Sequence, residues 1–394
     1  MPRNIVICLD GTGNQVGARN PTNVVKLYEM LSTDDPSHQL LYYDPGVGTM
    51  SSAGARGPLG HRLSRLSGLA FGTGLRANLA EAYTYLMRHW EPGDRVYVFG
   101  FSRGAYTARA LVGMLNKPGL MRPGAENLVP YAVAKYAFNH DIDRSQQEVA
   151  RFSRAFCRHT HTDPLWETVK RNDSKQVSRY AVPVAYLGLW DTVKAAGILR
   201  LGNLQWPYTR SLPNAARIRH AVSLDERRRP YREYLVKPRP QLTRDTLEEV
   251  WFAGVHSDVG GTFDHAKGDP LLSTVTLKWI VDGVHEDLLF RAGAYAEATA
   301  LTKEFAGAPV HRNGPLWFLA GRRSRAVPED AVFHASVRVR QQQDRGYRRG
   351  LPDPDDLARW ADPGWTQPVI GPGVTEALSR GDAAFSVPVP PVRP

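Results

Sequence analysis

The segment Gly100-Phe101-Ser102-Arg103-Gly104 places a serine between two glycines, each two residues away. A serine hydroxyl attacks a carbonyl only when a base takes its proton, and that base needs a carboxylate to orient it. The pentapeptide reads as a nucleophile elbow, a strand-to-helix turn so tight that small residues, Gly100 and Gly104, must flank the serine. In such a turn the backbone N–H of Arg103 opens the following helix and faces the oxyanion of a tetrahedral intermediate, where the helix dipole adds favourable potential. The plainer alternative is a glycine-flanked turn that merely packs tightly.

The partners of Ser102 should lie just past strand ends, in the chain order serine, acid, histidine. Val184-Ala185-Tyr186-Leu187-Gly188-Leu189-Trp190 leads into Asp191, and Val250-Trp251-Phe252-Ala253-Gly254-Val255 leads into His256, so these two are the expected acid and base. Asp225 and Asp258 compete for the acid role. Among twelve histidines, His220 is the main rival base, although it follows a basic stretch and no clear strand; His159 and His161 fall in a charged, helical region. Asp10 and Asp258 are expected to support the site from behind. The segment Asp10-Gly11-Thr12-Gly13-Asn14 follows the first strand, so Gly11 and Thr12 are candidates for the second half of an oxyanion hole. An ordinary glycine-rich turn with Asp10 bonded to backbone explains it equally well. Gly72-Thr73-Gly74 resembles half of a dinucleotide loop but has no strand before it, and no cofactor is expected. A different chemistry, a metal-dependent phosphoesterase, would use Asp10, Asp191, His256 and Asp258 as ligands; the serine reading needs no metal.

These residues require strands to carry them. Ile5 to Leu9, Leu40 to Tyr43, Val96 to Phe99, Val182 to Leu189 and Val250 to Val255 are short apolar runs suited to strands buried on both faces. Between them, Val24 to Leu31, Leu75 to Trp90, Ala105 to Leu115 and Leu271 to Val284 repeat at helical spacing. Such alternation predicts an α/β fold, α/β-hydrolase-like, with a mainly parallel central sheet and helices on both faces. Residues 46 to 74 read as a long Gly- and Ser-rich loop, and 116 to 180 as a helical insertion after the nucleophile helix. The expected organisation is a catalytic domain over 1–300, an extension over 301–380 packed on or capping it, and a Pro-rich tail over 381–394.

Bulk properties narrow the function classes. A hydrophobic fraction of 42% supports a real core. No apolar run approaches the roughly 18 residues of a membrane span, and the N-terminal residues lack the pattern of a signal peptide; the expectation is a cytoplasmic protein, or one delivered by a route that reads no such signal. Two cysteines exclude a disulfide framework, and Cys8 and Cys157 have no metal-type spacing. A net charge of +11 comes without any nucleic-acid module, so no nucleic-acid partner is expected. A solvated basic face is the plain reading, with peripheral attraction to an anionic membrane surface as the functional one.

Several segments together resemble the α/β-hydrolase family called domain of unknown function 2235, related to phospholipase effectors of the type VI secretion system. They are Leu9-Asp10-Gly11-Thr12, Thr22-Asn23-Val24, Tyr42-Tyr43-Asp44-Pro45-Gly46-Val47-Gly48-Thr49, Gly72-Thr73-Gly74-Leu75, Pro92-Gly93-Asp94, Gly100 to Ala105, Tyr106-Thr107-Ala108-Arg109, Trp190-Asp191-Thr192-Val193, Asp225-Glu226-Arg227-Arg228 and Trp251 to Gly261. The resemblance implies a triad of Ser102, Asp191 and His256, and hydrolysis of acyl esters of glycerophospholipids. Gly13 and Thr262 depart from it, standing where an aromatic residue and a third glycine would be expected. The function expected is therefore a serine-dependent carboxylic ester hydrolase of lipase or phospholipase type acting on a lipid ester. The alternatives are the metal-dependent phosphoesterase and a non-catalytic membrane- or partner-binding protein.

Overall fold

Asn4–Leu9 forms β1, and every one of its residues is buried. A strand with both faces covered needs partners on each side and helices above and below. In the computed structural model those partners are β2 (Gln39–Asp44), β3 (Arg95–Phe101), β4 (Val184–Trp190), β5 (Ala215–Ser223), β6 (Leu247–Phe252), β7 (Val332–His334) and β8 (Trp360–Ala361). They form one sheet in the order β2-β1-β3-β4-β5-β6-β7-β8, parallel at every pairing. The structure describes residues 2–11, 21–46, 68–137, 142–160, 162–173, 175–194, 206–237, 242–263, 269–312, 314, 321–347, 351–353 and 355–367. Thr12 and the Pro-rich 381–394 stretch lie outside them.

The helices are α1 (Asn23–Met30), α2 (Gly68–His89), α3 (Arg103–Asn116), α4 (Val129–Ala137), α5 (Ile142–Phe156), α6 (Trp166–Asp173), α7 (His256–Gly260), α8 (Leu272–Asp282), α9 (Ala292–Thr299) and α10 (Ala335–Gln343). Alternation along β1 divides them into two layers. Ile5, Ile7 and Leu9 enter a core with Leu79 and Leu86 of α2 and Leu111 and Leu115 of α3. Val6 and Cys8 enter the opposite core with Leu27 of α1 and Trp279 and Ile280 of α8. Each such buried aliphatic side chain stabilises the fold by about 1.5–3 kcal/mol. Burial also pushes the Cys8 thiol far above its ordinary pKa, as befits a small hydrophobe.

The structure departs from the sequence expectation at three places. Helix α2 starts at Gly68, so Gly72-Thr73-Gly74 lies within a helix and not in the expected loop. β5 forms where no apolar run marks a strand, since it carries Arg217, Arg219 and His220. Its charges are met across the sheet: Arg219 lies opposite Glu248 and His220 opposite Glu249, with contacts of 2.6 Å and 2.7 Å. Finally, residues beyond 305, whose pattern is weak, supply β7, β8 and α10. Phe333, Val337 and Trp360 close a third apolar cluster with Val222 and Trp251. The 116 to 180 stretch carries α4, α5 and α6.

Strand order reverses between β1 and β3. In an open parallel sheet, the crevice outside the carboxyl ends of the strands at such a switch point is where ligands bind.

Candidate active site at the carboxyl ends of the strands

Ser102 stands between β3 and α3 with φ 58° and ψ −119°, a left-handed conformation that costs a non-glycine residue about 1–3 kcal/mol. The surroundings hold it there. Its N–H donates to the Trp190 carbonyl at 3.0 Å, and its own carbonyl accepts from Val193. A Cβ on Gly100 would stand 2.7 Å from the Gly104 carbonyl oxygen, and one on Gly104 would stand 2.1 Å from that of Leu9. Both glycines are therefore demanded by backbone-to-backbone approach.

His256 opens α7 just beyond the Ala253-Gly254-Val255 turn that follows β6, and its Nε2 lies 2.8 Å from Ser102 Oγ. Its Nδ1 lies 2.6 Å from Asp191 Oδ2. A carboxylate can only accept, so Nδ1 carries the proton and the Nε2 lone pair faces the serine. The imidazole stacks on Phe101 at 4.7 Å and meets the Tyr231 ring edge-on at 4.8 Å. Burial lowers the His256 pKa below its ordinary value, with Asp191 opposing the effect. Its backbone N–H donates to Glu226 Oε2 at 3.2 Å. Glu226, fully buried, also takes the Arg228 guanidinium at 3.0 and 2.7 Å.

Asp191 follows β4 with φ 39°. It accepts from the N–H and hydroxyl of Ser223 at 2.9 and 3.1 Å. Arg325 forks onto both of its oxygens, through Nη1 and, at 2.9 Å, through Nη2. The same guanidinium donates to the carbonyls of Ser223 at 3.0 Å and Tyr231 at 2.7 Å. Burial alone would raise the Asp191 pKa, yet Arg325 and His256 hold it well below the usual carboxylate range.

The structure thus brings Ser102, His256 and Asp191 into one hydrogen-bonded chain. The other singled-out residues fall elsewhere. His220 Nε2 accepts the Thr192 N–H at 3.2 Å while Nδ1 faces Glu249; it braces the Asp191 turn from below. Asp225 holds the Gly254 N–H and the Tyr347 hydroxyl, each at 2.7 Å. Asp258 accepts the Val255 N–H at 2.9 Å and meets His311 Nδ1 at 2.5 Å. Asp10 accepts from Gly11 N–H and Thr22 Oγ1, both at 2.6 Å, and from Tyr43 at 3.0 Å. The Gly11 N–H therefore points at its neighbour's carboxylate. Arg103 is largely buried, which lowers its guanidinium pKa to about 10. Asp191 and His256 pair with each other while Asp10 and Asp258 are each held by other groups, and among the described residues no group of three or more His, Cys, Asp or Glu could hold a metal ion.

Sequence reasoning missed Arg325, Ser223 and Tyr231, and did not single out Glu226 as a support of the histidine. Glu226 had a signal, since it lies in one of the segments that carry the resemblance. Arg325 had none: it is 134 residues from Asp191.

The family model described as T6SS, Phospholipase effector Tle1-like, catalytic domain matches residues 3–283. Among curated proteins, the uncharacterized protein YEL023C of Saccharomyces cerevisiae is 35% identical over 247 residues, 61% of this chain and 34% of that protein. Among solved structures, an uncharacterized protein from Pseudomonas aeruginosa is similar at 20% identity and a TM-score of 0.42, covering 88% of this chain and 51% of that one. A Tle1 effector bound to the VgrG spike of the type 6 secretion system is similar at 17% identity and a TM-score of 0.31, covering 66% and 51%. The chain spans about a third of the length of the yeast relative and half of each solved chain.

Proposed function

We propose that this chain, which belongs to the family of Tle1-like phospholipase effector catalytic domains of the type VI secretion system, hydrolyses acyl esters through Ser102. Family membership supports a lipase or phospholipase; the assignment of residues is our own. The observation that carries it is the continuous contact from Ser102 Oγ to His256 Nε2, and from Nδ1 to Asp191.

In this mechanism His256 Nε2 takes the Ser102 proton as Oγ attacks the ester carbonyl carbon. Asp191 stabilises the imidazolium that forms. The N–H of Arg103 opens α3, whose 14 residues direct the positive end of their dipole at the developing oxyanion. A second donor comes from the Gly11–Thr12 segment, and Gly11 must release the Asp10 carboxylate to serve. The imidazolium gives its proton to the departing alcohol oxygen, leaving an acyl ester on Ser102. Water, deprotonated by the same histidine, attacks that ester and frees the carboxylic acid and the serine. Asp10 and Asp258 act through the loops they brace. The substrate is a lipid ester, and the exposed arginines draw the protein to anionic membrane surfaces. No helix among the described residues is long and apolar enough to cross a membrane; delivery by a secretion system follows from the family reading.

A fluorophosphonate probe followed by peptide mapping tests the assignment. It should label Ser102 alone, and Ser102→Ala should lose both labelling and hydrolysis of a phospholipid panel by at least about 10⁴-fold. Unchanged hydrolysis in Ser102→Ala, or activity abolished by chelators without any labelling, would overturn it in favour of another chemistry. Hydrolysis absent from the wild type, with biological effect intact in Ser102→Ala, would instead mark a binding protein.

A further inference from the structure

Beside the His256 turn lies a cavity of about 500 Å³ whose wall includes Val255, the residue before His256. Consecutive Cα atoms are about 3.8 Å apart, so the cavity and the imidazole share one stretch of backbone. Five arginines line it: Arg227, Arg228, Arg312, Arg322 and Arg340. Arg228 forks onto Glu226 and stacks 3.7 Å over the Tyr231 ring, and Arg340 donates to the carbonyls of Ala306 and Ala308 at 2.9 and 2.6 Å.

Arg227, Arg312 and Arg322 are exposed and come from three separate stretches of chain. Backbone pairing holds two of those stretches together: Arg228 bridges Arg322, Arg229 donates to Gly321 at 3.0 Å, and Arg323 donates to Arg227 at 2.8 Å. Among the described residues Asp225 lies on this wall, and Glu226 and Asp258 stand behind it on Arg228 and His311, so there five arginines meet three carboxylates. Like charges converging in a hollow repel one another, and a bound anion relieves that repulsion. Guanidinium groups fit the oxygens of phosphate in particular, and a few hundred Å³ is the size of a small-ligand site. A solvated basic face would spread over convex surface; this one is concave and adjoins the triad. The stretch that carries Arg322 continues to Arg325 on Asp191.

We propose that this cavity seats the phosphate of an anionic phospholipid headgroup, with Arg227, Arg312 and Arg322 as its ligands, while the acyl ester lies at Ser102. The proposal rests on the serine-hydrolase reading for its second half only. Binding is therefore measured first, by calorimetry at constant ionic strength, with glycerol 3-phosphate titrated into Ser102→Ala protein. It should bind, inorganic phosphate should compete, and each of Arg312→Gln and Arg322→Gln should weaken binding roughly tenfold or more. Hydrolysis is then measured in uncharged mixed micelles with Ser102 intact. Arg312→Gln/Arg322→Gln should lower kcat/KM for phosphatidylglycerol at least tenfold and leave diacylglycerol and a short-chain nitrophenyl ester unchanged.

No binding of glycerol 3-phosphate overturns the site. Binding together with equal losses on phosphatidylglycerol and diacylglycerol, or with no loss on either, overturns the headgroup assignment and leaves a site for free phosphate. Failure of Ser102 labelling would sink the catalytic reading but not the binding result, so the two failures are distinguishable.

Discussion

Replacing Arg325 by methionine keeps most of its volume and removes its charge. The buried Asp191 would then retain Ser223 and His256 but lose both guanidinium contacts. Both side chains are almost fully enclosed, at 2% and 1% exposure. Removing one member of a buried pair strands the other, at a cost of about 3–5 kcal/mol. At about 2 °C per kcal/mol for a large chain, the unfolding midpoint should fall by roughly 6–10 °C near pH 7. The loss should depend on pH, with a defined sign. Asp191 in the folded wild type is held well below its unfolded pKa of about 3.9. Its contribution is therefore present above that value and is lost as pH falls toward the folded one. Without Arg325 burial dominates, the folded pKa rises, and acidification no longer costs the variant as much. Thermal melts from pH 7 to pH 3.5 should show the deficit narrowing. A double-mutant cycle with Asp191→Asn should show that Asp191→Asn costs far less once Arg325 is gone. A deficit independent of pH, or strictly additive costs, would refute the claim that Arg325 acts on the Asp191 charge.

Three further outcomes are expected. Because burial lowers the His256 pKa and the proposed mechanism needs it neutral as the base, the acidic limb of the kcat/KM profile should have its midpoint below about 6.5; a midpoint above that value would contradict the burial argument. Gly104→Ala would drive a Cβ to 2.1 Å from the Leu9 oxygen, so melts should show at least about 3 kcal/mol lost, and an unchanged midpoint would disprove the close approach. Thr262, which stands where the family resemblance led us to expect glycine, has φ 93°, strained for a β-branched residue. Thr262→Gly should stabilise by about 1 kcal/mol after the entropy of the added glycine is subtracted; a lower melting temperature would count against strain at this residue.

Much of the architecture was readable from short-range patterns. Five apolar runs correspond to β1, β2, β3, β4 and β6, because a strand buried on both faces must be apolar throughout its length. β5 was hidden, since its arginines and histidine make sense only beside the glutamates of β6, which are about thirty positions away. β7 and β8 have three and two residues, too short to carry a period.

The same division runs through the site. By itself the sequence determined where Ser102, Asp191 and His256 stand relative to their strands, because strand ends and tight turns are local events written in apolar runs and glycines. Only the tertiary structure decided that the three side chains meet, that the Gly11 N–H faces Asp10, and that His220 braces a turn. It alone also brought Arg325 onto Asp191 and gathered arginines from three stretches around one cavity. Such contacts depend on how distant segments pack over the sheet, and a buried charge pairs with whatever partner the fold delivers, at whatever separation along the chain.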